Sequence, residues 1–256
     1  MKASEFEARM RAGECFHSLR VPPGAYIVVR VDGRSFSRFT ETHCQKPFDS
    51  EFNGWMVLAA KALLTELHAR YVYTESDEIS ALLPRESELF DREVEKLTSI
   101  AAATASATFA LASGRFVQFD GRIWVGARDA DVVDYFRWRQ DDATRCALNG
   151  WCYWTLRKLG RRAHEATAAL LGASTAEKNE LLHTNGVNFN DVPAWQRRGV
   201  GVHWERWVKD GFNPKTGATV KAVRRRVRVD DDLPMKADYA RFVRGIVRAA
   251  PDEVDA

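Results

Sequence analysis

The sequence has few of the features that mark disulfide scaffolds, zinc proteins or membrane proteins. It holds four cysteines, Cys15, Cys44, Cys146 and Cys152, with neither CxxC spacing nor scaffold density. A disulfide framework is therefore excluded, and the thiols read as core filler in a reducing, cytoplasmic setting. The six histidines are scattered, and no His/Cys zinc site is expected. Long apolar runs are absent. The most apolar stretch, Ile100 to Ala112, is short and studded with Thr and Ser, which predicts a buried helix of small residues and not a membrane span. The opening residues, MKASEFEARMRAGECF, mix both signs of charge without an apolar centre, so no signal peptide is expected. No Pro/Gly/Ser-rich linker, low-complexity tract or internal repeat divides the chain. Neither sign of charge dominates, since the formal net charge is +3.

What is present is a chain of 256 residues, 45% of them hydrophobic, long enough for one large core or two modest domains. Ala25 to Val31 reads as a strand after the Pro22-Pro23-Gly24 turn signal. Asp49 to about Arg70 reads as a helix, with Asp49 or Ser50 as N-cap and Trp55, Leu58, Ala59 and Leu63 as its apolar stripe. RYVYTESDEISALLP predicts a hairpin turning at Glu75-Ser76-Asp77, and Glu86 to Leu111 a long helix. A short hairpin is expected around Phe119-Asp120-Gly121-Arg122, and helices from Asp129 to about His183. A further hairpin joins Val200–Val208 to Ala218–Val229 through Asn213-Pro214-Lys215-Thr216-Gly217, and a helix from Lys236 to Ala249 closes the chain. This order predicts an α+β fold: an antiparallel sheet with helices on one face, then a mainly helical region with a β-hairpin. The division falls at residues 1–136 and 137–256.

Two carboxylates stand out. Asp32 ends the strand VVRV, and Asp77 sits at a hairpin tip. In an antiparallel sheet these positions can lie side by side, where the charges repel unless a cation lies between them. Mg²⁺ suits such a site, because it takes carboxylate oxygens and fills its shell with water and phosphate. Gly33, lacking Cβ, lets the backbone approach a ligand. On residue type alone, both aspartates could equally be turn or capping residues. The segment KAVRRRVRV puts Arg224, Arg226 and Arg228 on one side of a strand and Val223, Val227 and Val229 on the other. That row could track a phosphate backbone, or be a solvated face paired with Asp230-Asp231-Asp232. Phe36 and Phe39 read as core, and Trp138 and Arg139 either as helix core and surface or as RNA or subunit contacts.

The motifs VVRVDGRSFSRFT, KPFDS, ESDEIS, FDGR, DYFRWRQDD and AEKNELL, in this order, resemble the tRNA-His guanylyltransferase superfamily of reverse polymerases, from about residue 25 to about residue 230. The resemblance implies a fold similar to polymerase palms and nucleotide cyclases. Residues 1–136 would form the palm-like catalytic part, and 137–256 an RNA-contact and oligomerisation region packed on it. It implies that Asp32, Asp77 and the Gly33 carbonyl hold two Mg²⁺ ions. Asp32, Gly33, Arg34, Ser35, Phe36 and Ser37, with Ser76 and Asp77, would line the nucleotide pocket. Lys46 and Asp49 would meet the triphosphate, Lys96 would be a further phosphate contact, and Lys178 and Asn179 would face RNA.

The implied reaction is Mg²⁺-dependent addition of nucleotides to an RNA 5′ end. ATP activates a 5′-monophosphate as an adenylylate, and the 3′-hydroxyl of GTP or another NTP then attacks, expelling AMP. Two departures matter. Where single-G enzymes carry a His-Ile-Asn-Asn-Leu-Tyr-Asn block, this chain has Asp142-Ala143-Thr144-Arg145-Cys146-Ala147-Leu148-Asn149. That is similar to the like-protein branch, which repairs 5′-truncated tRNA in a template-directed way. Where the family often has two adjacent basic residues, this chain has Arg92 followed by Glu93. The expected partners are tRNA, nucleoside triphosphates and further copies of the chain in a homotetramer, with no membrane. A single-G guanylyltransferase, a palm-fold cyclase and a catalytically silent RNA-binding protein remain alternatives.

Overall fold

The computed structural model describes residues 3–213 and 217–249; residues 214–216 of the expected Asn213–Gly217 turn lie outside them. The described strands form one antiparallel sheet in the order β4-β1-β3-β2-β5-β6. They are β1 Tyr26–Gly33, β2 Tyr71–Glu75, β3 Glu78–Leu82, β4 Phe119–Gly126, β5 Val200–Asn213 and β6 Ala218–Asp230. The described α-helices are α1 Ala3–Arg11, α2 Phe36–His43, α3 Ser50–Glu66, α4 Val94–Ser113 and α5 Asp129–Lys158, then α6 Ala163–Leu170, α7 Thr175–Thr184, α8 Ala194–Arg198 and α9 Lys236–Arg248. The α+β class read from the sequence holds.

The helices, expected on one face of the sheet, cover both. Strands β1, β2 and β3 are apolar on both sides, and such strands have to be covered twice. Ile27, Val29, Val31, Val72 and Ile79 project toward α3 and α4, meeting Met56, Leu63, Ala101 and Phe109. Tyr26, Val28, Tyr71, Tyr73 and Leu82 project the other way, onto Val132 and Phe136 of α5 and Tyr239 and Val243 of α9. Helix α5 runs unbroken across residues 136 and 137. Its second half gathers α6 and α7 around Ala147, Cys152, Leu156, Ala166 and Leu182.

Two local expectations are corrected. Asp120-Gly121 is no turn; it lies inside β4, opposite Asp32 and Val31 of β1. Gly121 is required because a Cβ there would stand 2.8 Å from the Thr98 carbonyl oxygen of α4. Helix α4 starts at Val94 and not near Glu86, because Phe90, Asp91 and Arg92 all have positive φ. The buried Arg92 guanidinium donates to the carbonyls of Val21, Pro22, Ala25, Arg85 and Ser87. Each such charged hydrogen bond contributes roughly 1.5–3 kcal/mol, enough together to hold the strained turn. Arg92 is a strut for the loop and no phosphate ligand.

Only Val200 to His203 of β5 pair with β2; from Trp204 onward the strand pairs with β6 alone. The hairpin thus leaves the sheet as a two-stranded arm.

Candidate active site

Strand register assembles the site. Asp120 lies opposite Asp32, Asp32 opposite Glu78, and Glu78 opposite Glu75. Cross-strand partners share a face, so four carboxylates form one row across β4, β1, β3 and β2. Three of them have arginine partners. Asp120 takes Arg122 at 2.9 Å. Arg139 reaches in from α5, 2.7 Å from Glu78 and 3.1 Å from Glu75, and also bonds Asp142 at 3.1 Å. Arg30 adds a longer contact to Glu78, 3.7 Å. Burial and the neighbouring Glu78 push the Glu75 carboxyl up to about 8, an effect the Arg139 guanidinium opposes.

Asp32 has no cationic partner within ion-pair distance among the described residues, and neither does Asp77. A backbone bond of 3.0 Å from Gly33 N–H to the Asp77 carbonyl ties the end of β1 to the β2–β3 turn. Burial, and then the charge of Asp32, raise the pKa of Asp77. A cation between the two carboxylates relieves both penalties, so the donor set fits Mg²⁺. No three His, Cys, Asp or Glu side chains among the described residues form a metal cage, and a two-carboxylate site leaves coordination positions for water and phosphate.

Gly33 has a packing role besides the one expected of its backbone. A Cβ there would lie 2.4 Å from the ring of Phe36, so the glycine makes room for that ring. Phe36 is 2% exposed and packs on Phe39, Phe52, Phe109 and Phe119. Its side chain belongs to the core, and only its backbone could face a nucleotide. Arg34, Ser35 and Ser37 are exposed, with Ser35 in the left-handed region.

Lys46, Asp49 and Ser76 meet at a cleft of about 210 Å³, walled by the 44–53 loop, the hairpin tip, α5 and α8. The run from Asp32 to Ser37 and Lys96 are not part of its lining. Asp49 caps α3, accepting from the N–H groups of Gln45, Glu51 and Phe52. Burial disfavours its charge, but these three donors hold its pKa below the usual range. Burial lowers the pKa of Lys46, whose ammonium donates to Thr40 Oγ1 at 2.7 Å. Lys96 is exposed on the first turn of α4, 3.3 Å from Glu93.

The RNA-facing candidates are dispersed. Lys178 and Asn179 lie on α7, and the Asn179 amide donates back to Thr175 O. On β6, Arg226 pairs with Glu205, and Arg228 with Glu205 and Asp230. Arg224 has no carboxylate partner among the described residues. The sequence reading missed Glu75, Glu78, Asp120 and Arg30, and left Arg139 undecided. The one signal available was the clustering of Glu75, Asp77 and Glu78 in a β-prone run near basic strand positions.

An antiparallel sheet thus delivers two carboxylates without ion-pair partners among the described residues close to a cleft lined by Lys46, Asp49 and Ser76. Two family models match the chain: tRNAHis guanylyltransferase over residues 7–133 and the Thg1 C terminal domain over residues 130–236. The tRNA(His) guanylyltransferase of Debaryomyces hansenii is 35% identical over 193 residues, 70% of this chain and 73% of that protein. Guanylyltransferase 1 of Arabidopsis thaliana is 35% identical over 204 residues, 74% of this chain. The chain spans only 35% of that relative's length. A bacterial tRNA(HIS) guanylyltransferase (Thg1)-like protein solved with ATP superposes with TM-score 0.74 at 26% identity, covering 95% of this chain and all of that one. Its complex with GTP gives 0.72 at 25% identity, covering 96% of this chain and all of that one. The chain belongs to the tRNAHis guanylyltransferase family, whose members are nucleotidyltransferases.

Proposed function

We propose that this chain is a Mg²⁺-dependent nucleotidyltransferase that adds template-directed nucleotides to the 5′ end of truncated tRNA. The observation that carries the reading is the Asp32–Asp77 pair, without an ion-pair partner among the described residues, while the other carboxylates of the row, Asp120, Glu78 and Glu75, all have arginines. Bound there, Mg²⁺ would lower the pKa of the attacking hydroxyl and neutralise charge building on phosphate oxygens. Arg139 and Arg30 hold the hairpin that aims Asp77. Lys46 offers a half-buried ammonium to a triphosphate, and Asp49 fixes the loop that carries it. The bacterial relative's complexes with ATP and GTP support both nucleotides as substrates.

The 142–149 segment supports repair over single-G addition. Asp142 and Arg145 pair with each other, and Ala143, Cys146 and Ala147 offer the cleft only small side chains. The relatives' names favour the second reading, a guanylyltransferase adding one G to tRNA-His. We place RNA contacts at Lys178, Asn179, Arg224, Arg226 and Arg228. A homotetramer would cover Val208, Phe212 and Val223, exposed on one face of the arm. No described helix is long and apolar enough to cross a membrane, which is compatible with work in the cytoplasm.

The deciding experiment supplies Mg²⁺, ATP and labelled NTPs to a panel of tRNAs lacking their first nucleotide, with the opposing base changed to each of the four. The added nucleotide is expected to follow that base. Constant G, or activity confined to tRNA-His, returns the chain to single-G addition; cyclic nucleotide makes it a cyclase, and retention without elongation a binding protein.

A further inference from the structure

A second cleft, of about 290 Å³, lies across Pro47 from the nucleotide cleft; Pro47 lines both. One wall is a single face of the last turns of α5, where Trp151, Trp154, Thr155, Lys158 and Leu159 recur at helical spacing. The Lys46 ammonium stands 5.5 Å from the Trp154 ring centre, and the Arg157 guanidinium 6.0 Å. Trp151 Nε1 donates to Gln196 Oε1 at 3.2 Å, and Gln196 lines the nucleotide cleft. The two clefts are therefore joined at Pro47 and braced by one hydrogen bond.

The charge here is one-sided. From Ala143 to His164 the chain has no Asp or Glu; Arg145 and Arg162 pair with Asp142 and Glu165 just outside that stretch, and Arg157, Lys158 and Arg161 have no ion-pair partner among the described residues. Aromatic faces flanked by cations, with no carboxylate to repel phosphate, are what binds single-stranded nucleic acid: bases stack and cations follow the backbone. A paired base inside a helix has both faces covered, so only an unpaired one can enter a cleft of this size.

The proposed reaction itself supplies such a strand. RNA extended at its 5′ end against a template carries a 3′ strand longer than the 5′ strand, so unpaired 3′ nucleotides stand next to the catalytic carboxylates. We propose that the cleft between α5 and Pro47 takes an unpaired base of this 3′ overhang, stacked on Trp154, with Arg157 and Lys158 toward its phosphates. This deepens the RNA 5′-end reading and rests on it.

The test uses the full chain without nucleotide and two RNA hairpins with the same stem and 5′-monophosphate. One hairpin is blunt, and the other has four unpaired 3′ nucleotides. The overhang is expected to tighten binding about tenfold, the worth of one good base stack. Trp154→Ala should abolish that preference and leave blunt-hairpin affinity within about twofold. Trp154→Phe, which keeps a ring, should restore most of it, which a merely misfolded Ala variant would not predict. Lys158→Ala should reduce the salt dependence of overhang binding by about one phosphate contact. Equal wild-type affinity for both hairpins overturns the proposal, as does an overhang preference that survives Trp154→Ala. So does displacement of the overhang by saturating ATP or GTP, which would put it in the nucleotide cleft. The two readings fail differently. Overhang preference without any 5′ extension by the wild type leaves the stacking cleft standing and removes the enzyme reading; extension indifferent to Trp154 does the reverse.

Discussion

Asp32 and Asp77 are set apart from their neighbours by what surrounds them. Asp120, Glu78 and Glu75, in one row with Asp32, are each held by an arginine, and Asp32 and Asp77 are left to repel each other. Asp32→Ala and Asp77→Ala are each expected to abolish nucleotide addition without lowering Tm in metal-free buffer. A variant retaining more than about a tenth of wild-type rate, roughly 1.4 kcal/mol of barrier, would show that the pair is not the metal site. Lys46 gives a pH-dependent expectation. Burial lowers its pKa from the ordinary 10.5, so the ammonium loses its proton, and its attraction for triphosphate, at a lower pH than a free lysine. KM for NTP should therefore begin to climb below that value, and Lys46→Arg should move the climb upward. An alkaline limb that does not shift in the arginine variant would take Lys46 off the triphosphate. Among the basic strand residues, Arg224→Ala should weaken tRNA binding more than Arg226→Ala or Arg228→Ala. The last two are already engaged by Glu205 and Asp230. Filter-binding Kd values for the three variants make the comparison.

At the scale of the element, the β2–β3 hairpin carries Asp77 of the proposed site, and Arg139 is its clamp. The guanidinium bonds Glu75 and Glu78 on either side of Asp77 and is itself only 6% exposed. Arg139→Met should cost about 3–5 kcal/mol of stability, because it leaves buried carboxylates without a partner. Above about pH 8, where Glu75 ionises, adding Glu75→Gln to that variant should recover part of the loss, since the uncompensated charge is then gone. Denaturant unfolding of the single and double variants checks both; additive losses would mean that the clamp carries no pairing energy. The strand end depends on packing in the same way. Gly33→Ala sets a methyl against Phe36 at 2.4 Å and should cost about 1–3 kcal/mol, with Phe36→Leu relieving it.

At the scale of the whole molecule, one sheet carries both the carboxylate row and the arm, and helices pack on both of its faces. The arm exposes Val208, Phe212 and Val223 on the side opposite Arg224 and Arg226. If these residues lie between copies of a tetramer, Val208→Glu with Val223→Glu should shift sedimentation to a smaller species. An unchanged sedimentation coefficient would remove the arm from the interface.

Local chemistry sufficed for much of this. The valine-rich β1, the Asp49 cap of α3, the hairpin around Asp77 and the two aspartates are all legible, because strand propensity, capping and turn formation act over a few residues. Period-2 patterning also put Arg224, Arg226 and Arg228 on one face, but it could not say that two of them are neutralised. What lay beyond the sequence depends on contacts between distant segments. Asp120-Gly121 looks like a turn until α4 is seen against it, and Gly33 looks like a ligand cradle and no more until the Phe36 ring is seen against it. The start of α4 is set by five carbonyls gathered on Arg92, three of them more than 65 residues away by chain. Register alone lines Asp120, Asp32, Glu78 and Glu75 in one row, and only the docking of α5 brings Arg139 onto two of them. The sequence by itself therefore pointed to Asp32 and Asp77, while the arginines that neutralise the carboxylates around them were decided by the tertiary structure, because charge neutralisation is a matter of which side chains meet.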